Sequence, residues 1–203
     1  MALRRGFKTE ATALASELRS ELGLRPFDRL DPFALAHHLD VPVLPLTELR
    51  AICTAAEHFI TEEPEAFSAL IVFEGRRRII VYNDTHSTAR QHSSIAHELG
   101  HCILQHTPAP ALDPLTGCRD WRADHEQEAD WIAGALLVTR QMALATARGR
   151  FAFAGALRRL AVSPEMLNWR MNVTGARSQA QRERGNGSRT STAGVASRTG
   201  GRA

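Results

Sequence analysis

Apolar residues recur every three or four positions over most of this chain, and a strand-like alternation is confined to its first half. Leu14, Leu18 and Leu22 stand at steps of four, which predicts an amphipathic helix over residues 9–22 stopped by Gly23. Asp31-Pro32 supplies a capping side chain followed by Pro at the first helical position. It opens a short helix through Phe33, Leu35, Ala36 and Leu39, and a short strand follows over Val41 to Leu44. A second helical run goes from Thr47 to about Phe59 and ends in the acidic turn Thr61 to Glu65. Ser68 to Phe73 and Arg77 to Tyr82 are rich in β-forming residues and are joined by Glu74-Gly75-Arg76, a hairpin signal.

Asn83, Asp84, Thr85, Ser87 and Thr88 offer caps for a helix to about Gln105, with Ile95, Leu99 and Ile103 as its core stripe. Pro108, Pro110, Pro114 and Gly117 mark residues 107–120 as a loop. From Ala123 a strong helix carries Ile132, Leu136 and, one turn on, Arg140. Beyond Gly149, Phe151 to Asn172 reads as two short helices, the second opened by Ser163-Pro164-Glu165. Residues 176–203 are Gly, Ser, Thr, Arg, Gln and Ala with almost no large apolar side chain, and disorder is expected there. The expected organisation is a core over 1–149, a short helical segment over 150–175 and a disordered tail over 176–203.

With 203 residues and 43% hydrophobic content, the chain can bury an ordinary core. Its formal charge of +3 is unevenly spread. The tail holds Arg177, Arg182, Arg184, Arg189, Arg198 and Arg202 against one acid, Glu183, so the body is slightly acidic and direct nucleic-acid binding is not expected. Arg76, Arg77 and Arg78 at the hairpin read as edge protection rather than an anion site. Cys53, Cys102 and Cys118 have no CxxC spacing, which argues against a disulfide framework or a thiolate zinc site. The N-terminus has no apolar run of the signal-peptide kind, and no segment approaches a membrane span, so a cytoplasmic protein is expected.

The chemistry concentrates in His97-Glu98-Leu99-Gly100-His101, an HExxH motif. Two histidines four apart on a helix project from one face, where both imidazoles reach one zinc ion, and the adjacent Glu lies beside the open coordination position. Gly100 inside a helix costs roughly 1 kcal/mol against Ala, so close packing is expected there. A catalytic site needs a third protein ligand. Leu104 and Thr107 exclude the metzincin continuation, and His106 reads as a helix-end residue. The remaining candidates lie in Asp124 to Asp130. With Ile132 as the centre of an apolar face and about 100° per residue, Glu128 and His125 fall near that face, while Glu126 and Asp130 fall toward solvent. Periodicity therefore leaves Glu128 and His125 open.

His97-Glu-Leu-Gly-His101, followed by Glu126-Gln-Glu-Ala-Asp-Trp-Ile-Ala133 and Leu136-Leu137, resembles the ImmA/IrrE family of zinc metallopeptidases. Weaker similarities extend to Asp31-Pro-Phe-Ala-Leu-Ala36, to Ile79-Ile-Val-Tyr-Asn83 and to the segment Leu160 to Arg170. The resemblance implies an α+β, mainly helical zincin-like core with a small antiparallel sheet, the active-site helix carrying HExxH. It implies Zn²⁺ held by His97, His101 and Glu128, the Glu before Ala completing the site, with Glu98 as general base for hydrolysis of a peptide bond by a metal-activated water. Tyr82 and His92 are candidates for steadying the oxyanion. By resemblance, Arg77 to Tyr82 would form the cleft edge that pairs with substrate, and a cognate helix-turn-helix repressor would be the substrate. The competing expectation is a regulatory binding module with a structural zinc. Glu98 argues against that, because a structural site does not require it.

Overall fold

A computed structural model describes residues 3–106 and 123–193 of the chain. The loop expected over 107–120, Cys118 and the end of the tail beyond Ala193 lie outside the described residues. The helices are α1 (Phe7–Glu21), α2 (Pro32–His38), α3 (Thr54–Thr61), α4 (Thr88–Ile103), α5 (Ala123–Leu137), α6 (Arg140–Ala147), α7 (Phe153–Leu160), α8 (Pro164–Val173) and α9 (Ala176–Ala193). Between α2 and α4 lie β1 (Val43–Pro45), β2 (Ala69–Glu74) and β3 (Arg77–Tyr82). The fold is α+β and mostly helical, with one small sheet.

That sheet is mixed rather than purely antiparallel. β2 and β3 form the expected hairpin, with Leu70 opposite Val81 and Phe73 opposite Arg78. β1 joins the other side of β3 in parallel, with Val43 opposite Ile80, so the order is β1-β3-β2. β3 is therefore the central strand: Ile80 to Tyr82 are paired on both sides, so the edge expected over Arg77 to Tyr82 is closed there, while Arg77 to Ile79 pair with β2 alone. The free edge nearest in sequence belongs to β2. Alternation divides the faces of β3: Ile80 enters the main core with Ile95 and Leu99, while Val81 joins a smaller cluster with Leu46 and Ala56 under α3.

α4 and α5 make the most extensive helix pairing, and α1 lies across α5. Every residue from Trp131 to Val138 is buried, so the second half of α5 is an interior helix rather than an amphipathic one. Each large side chain fully buried there, such as Ile132 or Leu136, contributes about 1.5–3 kcal/mol. α1 presents Phe7, Ala11, Ala15 and Leu18 inward, whereas Leu14 and Leu22 are only partly covered. Small alanines let the helices approach where a leucine stripe was expected.

Local signals place the remaining boundaries. The Asp31 carboxylate accepts from Phe33 N at 3.0 Å and caps α2. Thr139 Oγ1 accepts from Met142 N at 3.0 Å, so the run expected as one helix through Arg140 divides into α5 and α6. The run expected over Thr47 to Phe59 also divides, into a 3-10 turn at Leu46–Leu49 and α3. Asn83 is fully buried between β3 and α4. Its side-chain amide donates toward the carbonyls of Phe59, Pro64 and Phe67, and its oxygen accepts from Thr85 N at 3.1 Å.

The first part of the tail is helical. Ala176 and Ala180, one turn apart, are buried where α9 packs against α6 and α8, and Glu183 accepts from Arg148 Nε at 2.8 Å. Composition pointed to disorder because it counts large apolar residues. Two alanines at helical spacing suffice when the partner helices come close.

Candidate metal centre

The site is built at the closest approach of α4 and α5. A Cβ placed on Gly100 would lie 2.9 Å from the Ala129 carbonyl oxygen and 3.1 Å from its Cα, both backbone atoms that cannot swing away. This is the close packing that the mid-helix glycine implied. Pressing Ala129 against Gly100 also fixes which face of α5 meets the motif. At about 100° per residue, Glu126 and Asp130 lie on one side of Ala129, near each other, and Glu128 lies on the other.

The result differs from the expected ligand set. His97 Nε2 and His101 Nε2 are 3.1 Å apart. Glu126 Oε2 is 3.2 Å from His97 Nε2, and Glu126 Oε1 is 3.6 Å from His101 Nε2. Among the described residues, these three form the one cluster of His, Cys, Asp and Glu side chains close enough to share an ion. Glu128, which the family pattern assigned to the metal, instead meets His106: its Oε2 is 3.2 Å from His106 Nε2. His125, the other open candidate, stacks on the His106 ring with centroids 4.1 Å apart and planes 7° from parallel. Taking Ile132 as the centre of the apolar face gave the wrong frame, because α5 is buried all round there and has no single apolar side.

The donor set fits a zinc ion. Tetrahedral ligands at about 2.0–2.1 Å from one centre lie about 3.3–3.4 Å from each other, and the three separations here bracket that value. Two imidazoles and a carboxylate leave a fourth position for water or substrate, as a catalytic rather than a structural site requires.

Each histidine is held from behind. His97 Nδ1 lies 2.9 Å from Asp130 Oδ1, and His101 Nδ1 lies 2.9 Å from His106 Nδ1. Such partners fix the ring orientation and the tautomer that presents Nε2 to a metal. Glu126 and Asp130, at i and i+4 on α5, thus serve one turn of α4. In the metal-free chain, burial opposes charge on His97, but the hydrogen-bonded carboxylates of Asp130 and Glu126 outweigh it and push its pKa up to about 10. Burial and the neighbouring His97 hold His101 down to about 4. One proton thus occupies the pair where a cation would sit.

Glu98 is half-buried on α4 beside His97, and its charge adds to the field that favours the imidazolium there. His92, proposed for the oxyanion, is buried; its Nε2 lies 3.2 Å from Arg29 Nη2 and its ring meets Phe33 edge-on. Burial and Arg29 hold its pKa below the usual value. Tyr82 also packs its ring edge-on against Phe33. Both side chains have packing roles at the α2 contact. Arg78, expected as edge protection, reaches across the hairpin: its Nη1 donates to the Cys102 carbonyl at 2.8 Å and its guanidinium lies over Phe73. It ties the sheet to the last turn of the motif helix. On the Asp130 side, a cavity of about 320 Å³ is lined by Ser93, Asp130, Ser163, Glu165, Met166 and Trp169.

Glu126 and Asp130 were expected toward solvent and His106 at a helix end; Asp130 is 62% exposed, yet each of the three has a partner in the site. The i, i+4 carboxylate pair on α5 was a usable signal, since it repeats the spacing of the motif histidines.

Residues 54–172, well over half of the chain, match the sequence model of Peptidase_M78, the IrrE N-terminal-like domain. The match runs through the boundary expected at residue 149 and includes α7 and nearly all of α8. No curated protein matches the chain. Among the described residues, no helix is long and apolar enough to cross a membrane.

Proposed function

From the premise that this chain belongs to the Peptidase_M78 family of IrrE N-terminal-like domains, a family of metallopeptidase type, we propose that it is a zinc-dependent endopeptidase. The observation that carries this reading is the convergence of His97 Nε2, His101 Nε2 and a Glu126 oxygen within 3.1 to 3.6 Å of one another, with Glu98 on the same helix. His97, His101 and Glu126 would hold the ion, which when bound activates water and polarises a scissile carbonyl.

The chain's own residues supply the rest. Glu98, next to His97, takes a proton from the attacking water and passes it to the leaving amine. Asp130 accepts from His97 Nδ1 and keeps that ring turned inward. The free edge of β2 receives an extended peptide by main-chain hydrogen bonding, and the exposed Leu70 and Val72 give its side chains apolar contact. The cavity beside Asp130 favours a basic substrate side chain, whose stem lies along Trp169 and Met166 and whose charge meets Glu165. A cognate helix-turn-helix repressor is the proposed protein substrate.

The test uses the full chain. We expect one zinc per molecule in the purified protein, retained in Glu98→Gln together with loss of repressor cleavage. Glu126→Ala should lose the stoichiometric zinc. Repressor cleavage that persists in Glu98→Gln would refute the enzyme, and a Glu126→Ala chain that still holds its zinc would refute the ligand set.

A further inference from the structure

We infer that His106 and Glu128 are positioning residues of the metal centre, forming a hydrogen-bonded relay that sets the tautomer and orientation of His101. The inference rests on the zinc reading above but concerns residues that touch no ligand position.

The backbone brings His106 into place. α4 ends with Gln105 in the left-handed region at φ 53°. Beyond it, His106 N donates to the His101 carbonyl at 3.0 Å and Gln105 N to the Cys102 carbonyl at 3.2 Å. These are the two bonds of a Schellman cap, which sets the residue after the left-handed one directly over the residue five before it. In most such caps an apolar contact closes the arrangement. Here two imidazoles meet instead, with Nδ1 to Nδ1 at 2.9 Å. The left-handed position favours glycine, yet Gln stands there.

The protons along the chain have one consistent assignment. If the lone pair of His101 Nε2 faces the metal, its proton is on Nδ1 and donates to His106 Nδ1, which must accept. The proton of His106 is then on Nε2, 3.2 Å from Glu128 Oε2, and the carboxylate accepts it. Arg4 Nε lies 3.7 Å from the other oxygen, Glu128 Oε1. The His106 side chain is 7% exposed and that of Glu128 17%, and the stacked His125 ring blocks rotation of His106. A half-buried carboxylate and a largely covered imidazole thus serve a ligand they never replace, the counterpart on His101 of what Asp130 does for His97.

The experiment measures zinc dissociation constants by chelator competition on the full chain for the parent, His106→Ala, Glu128→Ala, Glu128→Gln, the double alanine variant and Glu126→Ala. Removing such a partner weakens zinc by about 10- to 100-fold. We expect each single alanine variant to show that loss while still taking up one zinc. The double variant should be no weaker than either single one, because the two residues act through one chain. Glu128→Gln keeps an oxygen that accepts from His106 Nε2–H and should recover most of the affinity. Imidazole ¹⁵N spectra of the zinc-loaded protein should show a coupling through the hydrogen bond between His101 Nδ1 and His106 Nδ1 in the parent and in Glu128→Gln, a signature that a packing role alone would not produce. Parent-like affinity in His106→Ala and Glu128→Ala overturns the relay and leaves the zinc site standing. Loss of the stoichiometric zinc in Glu128→Ala, with retention in Glu126→Ala, makes Glu128 a ligand and overturns both the relay and the ligand set. A parent chain that takes up no zinc overturns the metal reading and the relay with it.

Discussion

Adding one methyl group at Gly100 tests whether the α4–α5 contact sets the metal site. In Gly100→Ala the new Cβ would sit 2.9 Å from the Ala129 oxygen and 3.1 Å from its Cα. Ordinary contact starts near 3.4 Å, so the helices must part by about half an ångström at that point. Overpacking of this kind costs about 1–3 kcal/mol, and exchanging Gly for Ala inside a helix returns about 1 kcal/mol. The net expectation is a loss of about 0–2 kcal/mol, or up to roughly 8 °C in Tm for a chain of this size. The second consequence separates packing from propensity. Glu126 lies one turn before Ala129, so parting the helices lengthens its 3.2 and 3.6 Å approaches to the two histidines, and zinc affinity should fall. Thermal unfolding of the metal-free chain and chelator competition measure the two effects. A Gly100→Ala chain with a raised Tm and parent-like zinc affinity would refute the argument, because propensity would then be acting alone.

Four further outcomes follow from named contacts. His97 is held up at about 10 in the metal-free chain, so zinc uptake near pH 7 should release about one proton, read from binding heats in buffers of different ionisation enthalpy. The same groups shape the stability of the metal-free chain. The contribution of His97 is complete below its usual 6.5 and lost as pH rises through about 10, whereas that of His101 is complete above 6.5 and lost as pH falls through about 4. Urea unfolding should therefore show these contributions declining on both sides of pH 6.5; a metal-free chain equally stable at pH 6.5 and pH 10 would contradict the His97 part. Arg78→Ala should cost about 1–2 kcal/mol in the same assay, since it removes the bond to the Cys102 carbonyl, and should weaken zinc binding as well. Ala180→Asp, in a stretch expected to be disordered, should lower Tm by burying a carboxylate against α6 and α8, and no change would restore the disordered tail.

Local signals carried well from sequence to structure where one residue type has one physical use. The Asp31-Pro32 and Ser163-Pro164 caps, the Glu74-Gly75-Arg76 hairpin turn and the tight Gly100 are of this kind. The motif histidines were legible because the i, i+4 spacing is itself the geometry. What failed depended on neighbours far along the chain. Whether β3 lies at an edge is decided by the return of β1 beside it. Which carboxylate of α5 faces the histidines is decided by contact with Gly100, not by an apolar stripe that an interior helix lacks. His106 looked like a helix end, and it is one. Its contact with His101 arises from the left-handed turn at Gln105, a conformation that residue type gives no reason to expect.

The proposed ligands sit on both sides of a long connection: His97 and His101 precede residues 107–122, and Glu126 follows them. An ion gripping both helices would therefore be a crosslink that closes a loop, and it would bind the folded chain far better than the unfolded one. Folding and metal supply would then become one equilibrium. Free zinc at about a hundred times its dissociation constant adds about 2.7 kcal/mol to the folded state. The lifetime of this protein in a cell would follow the zinc available to it, so abundance as well as activity would register metal starvation.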